Sequence, residues 1–138
     1  MSVLTYFDLG KYQKDYSVAY GKFREYIRYR IQDEIFDQWI EINSNVELGM
    51  KNAIIPAMEG YLINFFIKHD IKISIAVDKF GEWMPRVYTC KNGLYSTNMT
   101  AKYTLRNEAV LRAIDCAFSK LNIELIINSK AIDHNGSN

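Results

Sequence analysis

Between Ile71 and Val77 the spacing of apolar residues changes from three-and-four to strict alternation, and this switch constrains the fold most. Ile71, Ile73, Ile75 and Val77 alternate with Lys72, Ser74 and Ala76, the pattern of a half-buried strand. Ahead of it, Pro56 suits a first helical position. Met58, Tyr61, Leu62, Phe65 and Phe66 form an apolar stripe behind that proline, which predicts a helix over 56–69. Beyond the strand, Asp78-Lys79-Phe80-Gly81 turns the chain. Glu82 to Cys90 reads as a second strand, with Pro85 marking an edge position or a bulge. Asn92-Gly93 is a hairpin signal that leads into a third strand within 94–103.

Thr104 is the predicted N-cap of a further helix. Ala109, Val110, Ala113, Ile114, Ala117, Phe118 and Leu121 lie on one face of it, and the alanines predict close packing on a sheet. Ile123 to Ile127 is read as a short final strand. Residues 128–138 are read as a flexible polar tail.

The amino-terminal part carries a different pattern. Tyr12, Tyr16, Tyr20, Phe23, Ile27, Ile31, Ile35, Trp39 and Ile42 recur at spacings of three and four, so residues 11–42 are predicted to be helical. A single helix there would put its basic half at the N-terminus and its acidic half at the C-terminus, against the dipole at both ends. A break near Gln32-Asp33-Glu34 is therefore expected. A strand through Ile27, Tyr29 and Ile31 is the competing reading. Asn43-Ser44-Asn45 signals a loop, with a subdomain boundary over 43–52.

A chain of 138 residues with 49% apolar and 24% charged side chains can bury a core without disulfides or metal. Its longest clean apolar runs, such as Leu125-Ile126-Ile127, are far shorter than the roughly 20 residues of a membrane span. Seventeen basic groups against sixteen acidic ones leave +1, which is no footprint for bulk nucleic-acid binding. The distribution is less even. Residues 1–30 hold six basic and three acidic groups, whereas 31–50 hold Asp33, Glu34, Asp37, Glu41 and Glu47 and no base. Met1 to Tyr6 lacks the basic and apolar regions of a signal peptide, so a cytoplasmic location is expected and the sequon at Asn98-Met99-Thr100 is discounted.

The usual chemistries lack their motifs. His69 and His134 are the only histidines, and neither joins a metal-binding cluster. His69 is read as a helix-end residue, where a partly positive imidazole is favourable. Cys90 and Cys116 are far apart, with Cys116 inside an apolar pattern. No glycine loop cradles phosphate, and no serine or cysteine sits in a nucleophile elbow. Asp33, Glu34, Asp37 and Glu41 would share a helix face rather than oppose each other across a substrate. No catalytic residue, metal or cofactor is assigned, and the chain is expected not to be an enzyme.

Interaction features are stronger. Six of ten tyrosines lie in the first thirty residues, and Tyr and Arg dominate interface hot spots. On a helical reading Lys22, Tyr26, Tyr29, Arg30 and Asp33 share a solvent-facing surface distinct from the core face. Trp83 and Arg86, near a hairpin tip, form a second candidate for stacking on bases or anchoring a protein.

Residues 56–121 resemble a double-stranded RNA-binding domain in their order of helix, three strands and helix, and in the alanine-rich closing segment A-V-L-R-A-I-D-C-A-F-S-K-L. The resemblance implies shape and phosphate recognition of duplex RNA. The sequence departs from that family where its lysine cluster would stand, since Arg106-Asn107-Glu108-Ala109 holds one base and one acid. The short sheet followed by T-x-x-N-E-A and the alanine-rich helix also resembles small α+β proteins of phages and mobile elements. That resemblance implies an accessory role such as inhibition of a host defence complex, as anti-CRISPR proteins do.

The expected fold is thus a single α+β domain. An antiparallel sheet of three or four strands packs against helices within 53–127, and the N-terminal helical segment packs on it or projects as an arm. The expected function is a non-enzymatic inhibitor of a host protein complex. The alternatives are a nucleic-acid-binding domain and a homo-oligomeric structural protein.

Overall fold

The computed structural model describes residues 9–44 and 56–136. Among the described residues, five helices and three strands follow in the order α1 (Leu9–Asp15), α2 (Ser17–Arg28), α3 (Asp33–Ser44), α4 (Pro56–Lys68), β1 (Ile71–Val77), β2 (Trp83–Lys91), β3 (Leu94–Ser96) and α5 (Arg106–Gly136). The fold is α+β, with an antiparallel sheet of order β1-β2-β3 and an N-terminal helical segment. Met1 to Tyr6 and most of the expected boundary over 43–52 lie outside the described residues. The loop signal at Asn43 is overruled at its start, because α3 runs through Ser44.

The sheet follows its local signals. Asn92 and Gly93 both adopt positive φ, at 54° and 79°, as a type I′ turn demands, and Lys91 pairs with Leu94 across it. Between β1 and β2, the Oδ1 of Asp78 accepts hydrogen bonds from the N–H groups of Phe80 and Glu82 at 2.9 and 3.0 Å. Its Oδ2 takes the Lys102 ammonium at 2.9 Å, and Gly81 supplies the positive φ of 81° that closes the turn.

Pro85 shows how a proline sits in a central strand. Trp83 exchanges both of its backbone hydrogen bonds with Tyr103, at 2.7 and 2.8 Å. In an antiparallel ladder the next residue of equal parity faces the same way, so Pro85 turns its missing donor towards the β3 side. β3 reaches back only to Thr89, which leaves that stretch of β2 without a partner strand. The Tyr103 bridge takes the place of a fourth strand.

Alternation divides the sheet into two faces. Ile71, Ile73 and Ile75 lie opposite Thr89, Val87 and Pro85, and α4 and α5 cover this face. The predicted stripe of α5 is buried from Ala109 to Leu121, together with Leu111.

Two expectations about the C-terminal part are corrected. Ile123–Ile127 is not a strand, and residues 128–136 are not an unstructured tail: α5 continues to Gly136. No glycine or proline interrupts residues 105–135. Extending a formed helix adds a hydrogen bond per residue without a new nucleus, which outweighs the weak strand preference of three isoleucines. α5 also starts at Arg106, two residues beyond Thr104.

The N-terminal segment is three helices packed on the core, not an arm and not a strand. The break expected near Gln32 is present: the Gln32 carbonyl accepts the N–H groups of Ile35 and Phe36 at 3.1 and 3.2 Å, which places it at the start of α3. Asp33 and Glu34 then occupy the first turn, where the dipole favours them. The break resets the helical phase. Phe36, fully buried, replaces the expected Ile35, which is 39% exposed.

A second interruption falls at Tyr16 (φ −132°, ψ 53°), which leaves α2 without a side-chain cap of its own. The cap comes from α5. The Oδ1 of Asn122 accepts the N–H groups of both Val18 and Ala19 at 3.1 Å, satisfying two of the donors a helix start leaves open. Lys11 and the Tyr16 hydroxyl meet Asp115, also on α5, at 2.9 and 3.2 Å. One aromatic core joins these layers: Phe23 meets Phe36, Phe65 and Phe118 with ring centroids 6.0, 5.3 and 6.1 Å apart.

Candidate interaction surface

Beside the core-facing stripe of α2 stand Lys22, exposed, and Tyr26, half-buried against the core, one helical turn apart. The chain then leaves the helix through Tyr29 and Arg30, whose N–H groups cap the end; that of Arg30 donates to the Ile27 carbonyl at 2.9 Å. Arg30 folds back on this end. Its guanidinium donates to the Tyr26 carbonyl at 2.7 Å and lies 3.6 Å from the centroid of the Tyr26 ring. The Lys68 ammonium, from the end of α4, approaches the same ring at 5.1 Å. Cations over an aromatic face are held by its quadrupole.

Behind Tyr26 stand Phe65, 5.5 Å away between centroids, and His69, edge-on to Phe65 at 4.9 Å. These side chains surround a concavity of about 340 Å³. Its rim holds three cations, Lys22, Arg30 and Lys68, and one carboxylate, Glu25, which lies 3.8 Å from Lys22. Tyr29 stands 88% exposed at the mouth. Burial lowers the pKa of His69 below the ordinary imidazole value, with Glu124 opposing the shift. His69 stands at the helix end as expected, just past Lys68, with its backbone N–H donating to the Phe66 carbonyl at 2.9 Å, and burial there disfavours the charged imidazole.

Four of the five residues expected to share this surface do so. Asp33 does not. The break at residues 29–32 carries it onto α3, where it pairs with Arg24 at 3.7 Å. Glu25, Phe65, Lys68 and His69 belong to the surface but were not predicted. Phe65 and Lys68 on α4, and His69 just past its end, recur at helical spacing, which is a readable signal. Their meeting with α2 is a tertiary event that no local pattern records.

The second candidate pair separates. Trp83 and Arg86 differ by an odd number of positions on one strand, so they point to opposite faces of the sheet. Trp83 is half-buried at the edge of the helix-covered face, opposite Val77, while Arg86 faces away and donates to the Pro85 carbonyl at 2.8 Å. They cannot clamp one ligand between them.

Among the described residues no three His, Cys, Asp or Glu side chains group to hold a metal. Cys90 and Cys116 are free thiols, and burial raises the pKa of Cys116, which keeps it protonated. A larger cleft of about 580 Å³ lies along α2 between Gln13, Tyr20, Arg24, Arg28 and Asp37, with charges of both signs. Arg106, where the RNA-binding family would have its lysine cluster, is held by Glu59 at 3.0 Å. Among the described residues no helix is long and apolar enough to cross a membrane. No protein-family model, curated protein or solved structure matches this chain.

Proposed function

We propose that this chain is a non-enzymatic interaction protein that docks the acidic surface of a protein partner with the face formed by α2 and α4. Tyr29 carries the reading. A tyrosine ring 88% exposed stands at the mouth of a concavity rimmed by three cations and one carboxylate. An aromatic ring beside arginine is the pairing that most often dominates binding at protein interfaces. Arg30 and Lys68 are already held near Tyr26, so little of their side-chain freedom is lost when a carboxylate arrives.

The resemblance to phage accessory proteins supplies the concrete form: an anti-defence inhibitor that occupies a host complex. In this reading the chain works in the cytoplasm, a compartment in which its two free thiols persist unpaired.

The test passes the tagged chain and a Tyr29→Ala/Arg30→Gln/Lys68→Gln variant over the same bacterial lysate, with nuclease treatment of the eluates. A stoichiometric protein partner retained by the wild type and lost by the variant, with unchanged melting of the variant, is the expected result. A partner held equally by both, or nucleic acid alone that salt removes, overturns the reading. A multiple of the 16.1 kDa chain mass that the variant reduces to a monomer would assign the same face to self-association instead.

A further inference from the structure

We infer that the face of the sheet opposite α4 and α5, which no described helix covers, is a platform for single-stranded nucleic acid, separate from the α2–α4 surface. The register defines this face. Lys72 lies opposite Tyr88, Ser74 opposite Arg86, and Cys90 opposite Tyr95, and all six point away from the face that α4 and α5 cover. Lys72, Ser74 and Tyr95 are exposed, and the others, on the central strand, are half-buried between their neighbours.

Its chemistry is one-sided. The strand residues that face this way include two cations and two tyrosines but no carboxylate. Neither cation has an ion-pair partner among the described residues: Arg86 bonds only its own strand's carbonyl at 2.8 Å, and the Lys72 ammonium rests 4.4 Å over the Tyr95 ring. The acid at the rim is Asp70, which accepts the Tyr95 hydroxyl at 3.5 Å. Tyr88 and Arg86 are two residues apart on one strand, roughly 7 Å.

Aromatic rings on a sheet beside unpaired cations complement an unstacked strand, whose bases offer π faces and whose phosphates offer charge. A duplex hides its base faces and leaves the tyrosines without a ligand. The occupant is therefore a single strand, read by stacking and phosphate contact, with RNA and DNA both accepted. Two phosphate contacts suit the small net charge and predict a shallow salt dependence, with a slope of about −1.4 in log affinity against log salt.

Fluorescence anisotropy of labelled single strands of about twelve nucleotides, titrated with the full chain, tests the proposal. Single-stranded RNA and DNA should bind and a duplex of equal length should not. Tyr88→Ala/Tyr95→Ala should weaken binding about tenfold or more, and Lys72→Gln/Arg86→Gln should flatten the salt slope. Tyr95→Ala alone changes only the short exposed strand β3 and should already weaken binding if the ring stacks, whereas Tyr95→Phe should retain it. Tyr29→Ala/Arg30→Gln should bind the strand as the wild type does. Absence of single-strand binding by the wild type overturns the proposal. So does equal duplex binding, indifference to Tyr95→Ala, or displacement of the strand by polyglutamate at matching charge concentration, which would reassign the face to an acidic protein.

Discussion

On its inner face α2 carries Tyr20, Phe23 and Ile27; on its outer face, and in the turn that ends it, stand Lys22, Tyr26, Tyr29 and Arg30. Both faces are aromatic. The inner rings are surrounded by other rings, with Phe23 in contact with three phenylalanines from three other helices. The outer ring of Tyr26 is backed by Phe65 but topped by Arg30 and Lys68, and Tyr29 is left in water. The difference teaches that aromatic content alone does not mark a core. What surrounds the ring decides whether it stabilises the fold or remains available to a partner.

Breaking the inner face should have the largest effect. Phe23→Ala empties the point where α2, α3, α4 and α5 meet and should cost about 3–5 kcal/mol, measured by urea unfolding with the slope unchanged. Next comes the borrowed cap. Asn122→Ala leaves the N–H groups of Val18 and Ala19 without their acceptor and should cost about 1 kcal/mol. Asn122→Asp should keep most of that stability, since a carboxylate also accepts both bonds and favours the positive end of the helix dipole. Equal losses in both variants would show that the side chain packs rather than caps.

The smallest effect lies under the outer face, at His69. Burial depresses its pKa in the folded chain, so below the unfolded value of about 6.5 the unfolded chain binds more protons than the folded one. Stability attributable to His69 is therefore constant above that pH and declines as the pH falls towards the folded value. His69→Gln should lack this decline, so between pH 7.5 and pH 5 the wild type should lose melting temperature relative to the variant. A parallel pH dependence in the two proteins would remove His69 from the titrating groups.

Residues 56–121 were legible because their signals are local. The alternation of Ile71 to Val77, the Asn92-Gly93 turn and the alanine face of α5 each specify their element without reference to distant residues. The N-terminal helices were legible in period but not in phase, since the turn at residues 29–32 shifts burial from Ile35 to Phe36. The interruption at Tyr16 left no local mark, because the groups that accommodate it, Asn122 and Asp115, stand about a hundred residues away. The candidate surface divides in the same way. Lys22, Tyr26, Tyr29 and Arg30 were found from helical spacing, whereas Lys68 and His69 join them only when α4 docks. Asp33 was misplaced because the helix break carries it onto α3, where it pairs with Arg24; Trp83 and Arg86, named together as one candidate, are divided between the two faces of the sheet by the strand's alternation.

The most direct measurement of the central claim is a paired one on the outer face of α2. Tyr29→Ala/Arg30→Gln/Lys68→Gln touches no fully buried side chain, and its stability should stay within about 1 kcal/mol of the wild type. Its retention of the protein partner captured by the wild type, read from nuclease-treated pull-downs at matched concentration, should fall at least about tenfold. Undiminished capture by a variant of unchanged stability would contradict the account and return the exposed tyrosine and its cations to an ordinary solvated surface.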